Sequence, residues 1–260
     1  MITTIKNQQI KNIMKLKKSS KERKEQGIFL VEGVRICKEI PKEWNPEFYV
    51  SEEYYLQKKE EVLNIVKDGK YELVTKDVFD KISDTMTPQG ILALVRQPKY
   101  NLEEIQKVEN PMLMVLENLQ DPGNLGTIIR SCEAAGVSAV ILSKDAVDIF
   151  NPKVIRATMG SIFRVPFILN QNMEELIPWL KKHNITTYAA HLEGTDVYQE
   201  DLKKPVAFFI GNEGNGLSDE LTRAADRKIK IPMSGKVESL NAAIAATVLA
   251  YEGKRQRWMS

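Results

Sequence analysis

Residues 208–217 read FFIGNEGNGL, a short apolar run that breaks into three glycines, Gly211, Gly214 and Gly216, with Glu213 among them. A strand that ends in a glycine-rich turn commonly cradles phosphate. Glu213 argues against phosphate, because a carboxylate repels it. The loop therefore asks for a ligand that needs close backbone approach and accepts a neighbouring acid. From Pro111 onward, runs that read as strands (Met112–Leu116, Ser138–Leu142, Thr187–Ala190, Val206–Ile210, Lys228–Ile231) alternate with helix-like segments. Those segments are Asn124–Ala135, ended by Gly136, then Pro152–Met159, Leu217–Ala225 and Leu240–Glu252. The alternation predicts an α/β fold with a mostly parallel sheet covered on both faces, whose ligands sit at the carboxyl ends of strands. FFIGNEGNGL lies at such an end.

The preceding half follows another pattern. Short strand-like runs (Ile28–Val31, Phe48–Val50, Tyr71–Val74, Ile91–Val95) are separated by charged helical stretches such as Glu52–Val66. This predicts a smaller α/β domain over 1–98. QPKYNLEEIQKVENP (97–111) is polar and bounded by prolines, which suits a linker over 99–111 and leaves 112–260 as the second domain. A chain of 260 residues is long enough for two cores.

Composition narrows the class. Hydrophobic residues make up 43% and charged residues 28%, as in ordinary globular proteins. No stretch holds the roughly 18 apolar residues of a membrane helix, and MITTIKNQQIKNIMKLKK lacks the apolar core of a signal peptide. Cys37, Cys132, His183 and His191 are the only cysteines and histidines, too few for a disulfide scaffold or a histidine-based zinc site. The expectation is a cytoplasmic, reduced, metal-free protein. Net charge is +2, yet residues 1–25 carry eight Lys or Arg against Glu22 and Glu25, a local +6. Such an arm attracts nucleic acid through its phosphates or is simply a solvated helix face. Lys254–Trp258 (KRQRW) adds a second basic patch, or a frayed end.

Common nucleotide and hydrolase motifs are absent. DPGNLG (121–126) offers only G-x-x-G, Lys236 is followed by Val237 rather than Ser or Thr, and no G-x-S-x-G occurs. Three other segments carry polar residues where strands end: LENLQDPGNLGTIIRSCEAAGV (116–137), FFIGNEGNGL, and IPMSGKVESLNAAIAATVLAYE (231–252). In the first, Asn124 lies near a helix N-terminus and Arg130 within the helix. In the third, Ser239 reads as an N-cap, Asn241 falls in the first turn, and Leu240, Ile244 and Val248 form an i, i+4, i+8 stripe directed at the core. Taken singly, each segment is explained by caps and turns.

In this order, the three segments resemble the signature motifs of the SpoU (TrmH-like) RNA 2′-O-ribose methyltransferases of the SPOUT superfamily: N-x-G-x-x-x-R at Asn124–Arg130, then FFIGNEGNGL, then IPM…VESLNAAIAA. NPKVIRATMGSIFRVPF (151–167) is similar to the family's intermediate segment. KERKEQGIFLVEGVRICKEI (21–40) and TMTPQGILALV (85–95) resemble the N-terminal substrate-binding domain of many members, itself similar to small ribosomal RNA-binding proteins. The resemblance implies a deep trefoil knot, a homodimer through the knotted domain, and S-adenosylmethionine as cofactor. It implies ribose methylation of RNA, ribosomal more than transfer RNA. By carry-over, Arg130, Asn124, Glu213, Ser239 and Asn241 would be catalytic. Ile210, Gly211, Asn212, Gly216, Ile231, Met233 and Leu240 would hold the cofactor. Lys15, Lys17, Lys18, Arg23 and Arg35 would bind RNA. Two rival readings are a non-catalytic RNA-binding or ribosome assembly factor and a knotted base methyltransferase.

Overall fold

Ile10, Ile13 and Leu16 recur along one helical face, and that periodicity turns the basic arm into a core element. In the computed structural model, which describes residues 1–67 and 69–258, all three side chains are fully buried on α1 (Gln8–Lys18). The next helix, α2 (Ser20–Gln26), starts on the Ser19 hydroxyl and stops at Gly27 in the left-handed region. The chain continues through β1 (Ile28–Glu32), α3 (Val34–Cys37), β2 (Glu47–Ser51), α4 (Glu52–Gln57), α5 (Lys59–Val66), β3 (Lys70–Val74), α6 (Lys76–Ile82) and β4 (Ile91–Arg96). The single helix read over 52–66 is thus two helices meeting at Lys58. The strands form a four-stranded sheet of order β1-β4-β2-β3, with β4 antiparallel to both its neighbours. α1 and α6 cover one face around Leu30, Tyr49, Phe79 and Leu92.

The second sheet starts after α7 (Leu102–Ile105), a short helix inside the expected linker, capped by Asn101. It comprises β5 (Met112–Leu116), followed by α8 (Pro122–Ala135), then β6 (Ala139–Ser143). The segment from Asp148 to Phe163, including α9 (Pro152–Thr158), clusters with Met1–Pro98 as one compact unit; Lys99–Val147 and Arg164–Ser260 form the other. The contiguous 1–98 domain read from the sequence did not include this segment. Within the first unit, Phe150 packs on Phe29 and Phe163 on Trp44.

The chain returns through β7 (Phe167–Gln171) and α10 (Met173–Lys182), neither read from the sequence. There follow β8 (Thr186–Asp196), β9 (Val206–Ile210), α11 (Asp219–Ala224), β10 (Arg227–Lys230) and α12 (Ala242–Trp258). The order is β10-β8-β9-β5-β6-β7, and every pair is parallel. β5, β6 and β9 are buried along their whole length, as near-continuous apolar runs of a sheet covered on both sides should be.

The reading of α12 needs correction. Its buried face is made of small residues, Ala242, Ala243, Ala246, Ala250 and Gly253, with Leu249. A Cβ at Gly253 would lie 2.6 Å from Met112 Sδ, so the helix sits against β5 where only small side chains fit. The expected core stripe is turned outward, with Ile244 53% exposed. Ser239 makes no cap: Asn241 does, its Oδ1 accepting from the N–H groups of Ala243 and Ile244.

Candidate active site

The carboxyl ends of β5, β9 and β10 place three loops side by side, and one chain of hydrogen bonds joins them. Glu213, in the loop after β9, accepts at Oε1 from Asn124 Nδ2 at 3.0 Å and from the Asp121 N–H at 2.9 Å, and at Oε2 from the Gln120 N–H at 3.1 Å. Asn124 Oδ1 in turn accepts from Asn241 Nδ2 at 2.9 Å. The polarity follows from the ends inward. An ionised carboxylate only accepts, so Asn124 must offer it NH₂. That leaves Oδ1 for Asn241, whose own oxygen is occupied by the first N–H groups of α12. Partial burial opposes ionisation of Glu213, but the hydrogen bonds from Asn124, Asp121 and Gln120 prevail and hold its carboxyl below the usual range.

The glycine loop closes on itself. Asn212 and Gly216 exchange both backbone hydrogen bonds at 2.9 Å, and Asn212 Oδ1 accepts from the N–H groups of Gly214 and Asn215. A Cβ on Gly211 would lie 2.0 Å from the Gly216 carbonyl carbon, so no other residue fits there. Asn212 Nδ2 also donates to the Asn118 carbonyl, and buried Glu117 accepts from the backbone and hydroxyl of Ser218, the N-cap of α11. Both ends of the loop are thus tied to the segment after β5.

Beside this network lies a cleft of about 870 Å³. Ile210, Gly211, Asn212, Glu213, Gly216, Ile231, Met233, Ser239, Leu240 and Asn241 all line it. The size is that of a small-molecule or cofactor site. Its other wall comes from a detour in β8. Pairing with β10 passes from Ala189–Lys228 to Thr195–Ile229, so residues 190–194 leave the ladder. Gly194 permits the return, since a Cβ there would lie within 2.6 Å of the Ile229 backbone. The detour brings Ala190, His191 and Leu192 to the cleft. Sequence reading missed these three, and the helix cap Asp121, whose side chain accepts from the Asn124 N–H. Alternation within the strand could have flagged the detour, because HLEG interrupts it.

Arg130 stands apart. It is exposed on α8, does not line the cleft, and makes no hydrogen bond or ion pair within the described residues. Of the five residues expected to be catalytic, Asn124, Glu213 and Asn241 are joined by hydrogen bonds and Ser239 lines the cleft, while Arg130 bonds to none of them. Among the described residues, no group of three or more His, Cys, Asp or Glu is gathered to hold a metal, and no helix is long and apolar enough to cross a membrane.

The basic residues separate into free and committed groups. Lys15, Lys18 and Arg35 are exposed. Lys17 is a strut: its ammonium donates to the carbonyls of Lys81 and Ser83 at the end of α6. Arg23 cannot reach RNA. It is 3% exposed, paired with Asp148 at 2.6 Å and donating to the Leu16 carbonyl. The cations of the C-terminal patch are likewise committed, with Arg257 donating to the carbonyls of Leu202, Asn110, Pro111 and Lys204 and exposed Arg255 paired with Glu252.

Comparison with known proteins matches residues 111–251 to the SpoU rRNA Methylase family and 7–93 to the MRM3-like substrate binding domain. The chain is 33% identical to the 23S rRNA (guanosine(2553)-2′-O)-methyltransferase RlmP of Bacillus subtilis, over 96% of this chain and 97% of that one. It is 31% identical to a 23S rRNA (uridine(2479)-2′-O)-methyltransferase of Streptomyces viridochromogenes, covering 89% and 84%. Among solved structures, the AdoMet-bound rRNA methyltransferase from Sinorhizobium meliloti superposes with a TM-score of 0.87 at 32% identity, covering 98% and 97%. The SpoU methyltransferase AviRb from Streptomyces viridochromogenes, in complex with AdoMet, gives 0.88 at 29%, covering 97% and 98%.

Proposed function

Since this chain belongs to the SpoU rRNA methylase family, we propose that its cleft and hydrogen-bonded triad serve methyl transfer from S-adenosylmethionine to a ribose 2′-hydroxyl of ribosomal RNA. The carrying observation is the Glu213–Asn124–Asn241 chain, which joins the three motif-bearing segments beside one cleft. The residues fit the cofactor. Gly211 removes the side chain where two backbone strands close, the walls are apolar at Ile210, Ile231 and Leu240, and three lining acids (Glu213, Asp219, Glu238) outnumber Lys230. Such a wall suits a cation and repels a polyphosphate. When bound, S-adenosylmethionine supplies a methyl group already activated on a sulfonium sulfur.

The chain's own residues then have to align and deprotonate a weakly acidic alcohol. Glu213 is held ionised with its oxygens engaged by three N–H donors, so its role is to fix the loop rather than to take the proton. Arg130 does not line this chain's own cleft and keeps the role the resemblance implies: a guanidinium is a poor base, so it stabilises the forming alkoxide and the adjoining phosphate, and phosphate or water accepts the proton. Asn124 and Asn241 keep the wall in register, and Ser239, exposed on the rim, contacts the incoming nucleotide.

A homodimer fits the outward face of α12, where Ile244, Val248, Tyr251 and Trp258 repeat at spacings of four, three and seven. Tyr251 is 46% and Trp258 84% exposed, a stripe of the kind that seats a second helix. The family's knot and a cytoplasmic setting belong to the same reading. For the test, Arg130→Ala should leave cofactor affinity within about threefold by calorimetry and lower methyl transfer to 23S rRNA by at least about a hundredfold. Loss of cofactor binding would assign Arg130 to the cleft instead.

A further inference from the structure

The first unit holds a second built surface, made where the two segments that resemble a substrate-binding domain meet. Glu32, the last residue of β1, accepts from the Thr85 hydroxyl at 2.9 Å, from the Asp84 N–H at 2.8 Å and from the Ser83 hydroxyl. Gln89 Oε1 accepts from the Val34 N–H at 2.8 Å, and Gly33 and Gly90 adopt left-handed φ values of 114° and 84° beside it. Lys17 ties α1 to the same loop through the Lys81 and Ser83 carbonyls, and Asp84 pairs with Arg156 at 2.6 Å. Residues 83–90 are therefore fastened at several points. Yet the tip of this fastened loop is Met86, whose side chain is 100% exposed. Lys11, Lys15 and Lys18, at spacings of four and three, form an exposed stripe on the solvent face of α1, and Arg35 is exposed after Gly33. None of these four cations has an ion pair within the described residues.

We propose that Met86 is a base-recognition wedge for single-stranded RNA, flanked by phosphate-binding Lys11, Lys15, Lys18 and Arg35. The proposal rests on the RNA-methyltransferase reading for its partner. A polarisable, unbranched thioether packs against the face of any base, and unstacked bases of loops and bulges are what proteins read in RNA. Because the loop is fastened before binding, little ordering entropy remains to be lost. The segments that carry the free cations are bonded to this loop, α1 through Lys17 and the Arg35 turn through Val34 and Gln89, so the surface pairs a charged track with a stacking platform.

The test uses the full-length protein and a fluorescein-labelled oligouridylate, with the affinity followed against salt. Met86→Ser should weaken binding by about fivefold or more without changing the salt slope, and Met86→Leu should keep most of the affinity. Lys15→Gln with Lys18→Gln should lower the slope by about two phosphate contacts. Unchanged affinity for Met86→Ser overturns the proposal and leaves the tip as a protein contact; so does an affinity loss that comes with a changed slope. The methyl-transfer reading is judged separately. If the wild type methylates 23S rRNA while Met86→Ser binds and methylates as well as wild type, only the wedge fails. If the wild type methylates no ribosomal RNA while Met86→Ser weakens oligouridylate binding, the wedge stands and the reaction assignment fails.

Discussion

The triad of Glu213, Asn124 and Asn241 makes an unusual forecast for Asn124→Asp, a change that keeps the shape of the side chain and removes one donor. The lost bond is the 3.0 Å contact from Nδ2 to Glu213 Oε1, and a bond to a charged acceptor is worth about 1.5–3 kcal/mol. In its place two carboxylate oxygens face each other. At 3 Å their repulsion is about 1.4 kcal/mol in water and about 5.5 kcal/mol at an effective dielectric of about 20. Glu213 is largely exposed, so the lower part of that range applies. The variant should lose about 2–4 kcal/mol near pH 8.

The sign of the pH dependence is the discriminating feature. In the wild type the Glu213 pKa is lowered. Its stabilisation is fully present above the unfolded value of about 4.3 and lost as pH falls through the folded one. In the variant the paired carboxyls raise one folded pKa above its unfolded value. The penalty is then full above that raised pKa and fades as pH falls, because the new proton restores a donor to Glu213. Urea midpoints followed by circular dichroism should therefore show the variant approaching wild type near pH 5. Asn124→Ala should lose stability at both pH values. A variant as stable as wild type at pH 8, or equally impaired at both, would refute the polarity assigned to the chain.

Two further outcomes follow from steric and burial arguments. Gly211→Ala must displace the Gly216 backbone, 2.0 Å from the new Cβ; calorimetry should show cofactor affinity reduced by at least about tenfold, an overpacking cost of 1–3 kcal/mol. Arg23→Met leaves Asp148, 20% exposed at its side chain, without its partner, and should destabilise the first unit by about 2–4 kcal/mol, read as a lower urea midpoint with RNA affinity at saturating folded protein unchanged.

The sequence made some of this legible and hid the rest for identifiable reasons. β5, β6 and β9 are unbroken apolar runs, and a strand buried on both faces has no other way to be written. The glycine loop was legible because Gly211 and Gly216 meet backbone to backbone, which no side chain permits. α12 misled, since Ile244 and Val248 have the hydrophobicity of core residues, yet close approach to β5 selects alanine and glycine and turns the larger side chains out. α1 was legible in Ile10, Ile13 and Leu16, but the lysines between them dominated the reading. β7 and α10 carried weaker signals, with Asn170 and Gln171 at the end of the strand and Pro178 inside the helix. Arg23 and Lys17 could not be told from Lys15 and Lys18 by charge; only long-range partners, 125 and 64 residues or more away, separate them.

The excursion of residues 148–163 into the first unit means that the protein is not a string of detachable parts. A cut in the linker would release a front piece lacking the Asp148 carboxylate that neutralises Arg23 and the rings that cover Phe29 and Trp44. The rear piece would carry Ile149, Phe150, Val154, Ile155 and Phe163, all buried in the intact chain, with nothing to bury them. A single crossing in sequence therefore cannot exchange one module for another, as it can between beads on a thread. Any shuffling of recognition units among such chains has to bring along a short strap coded inside the other half.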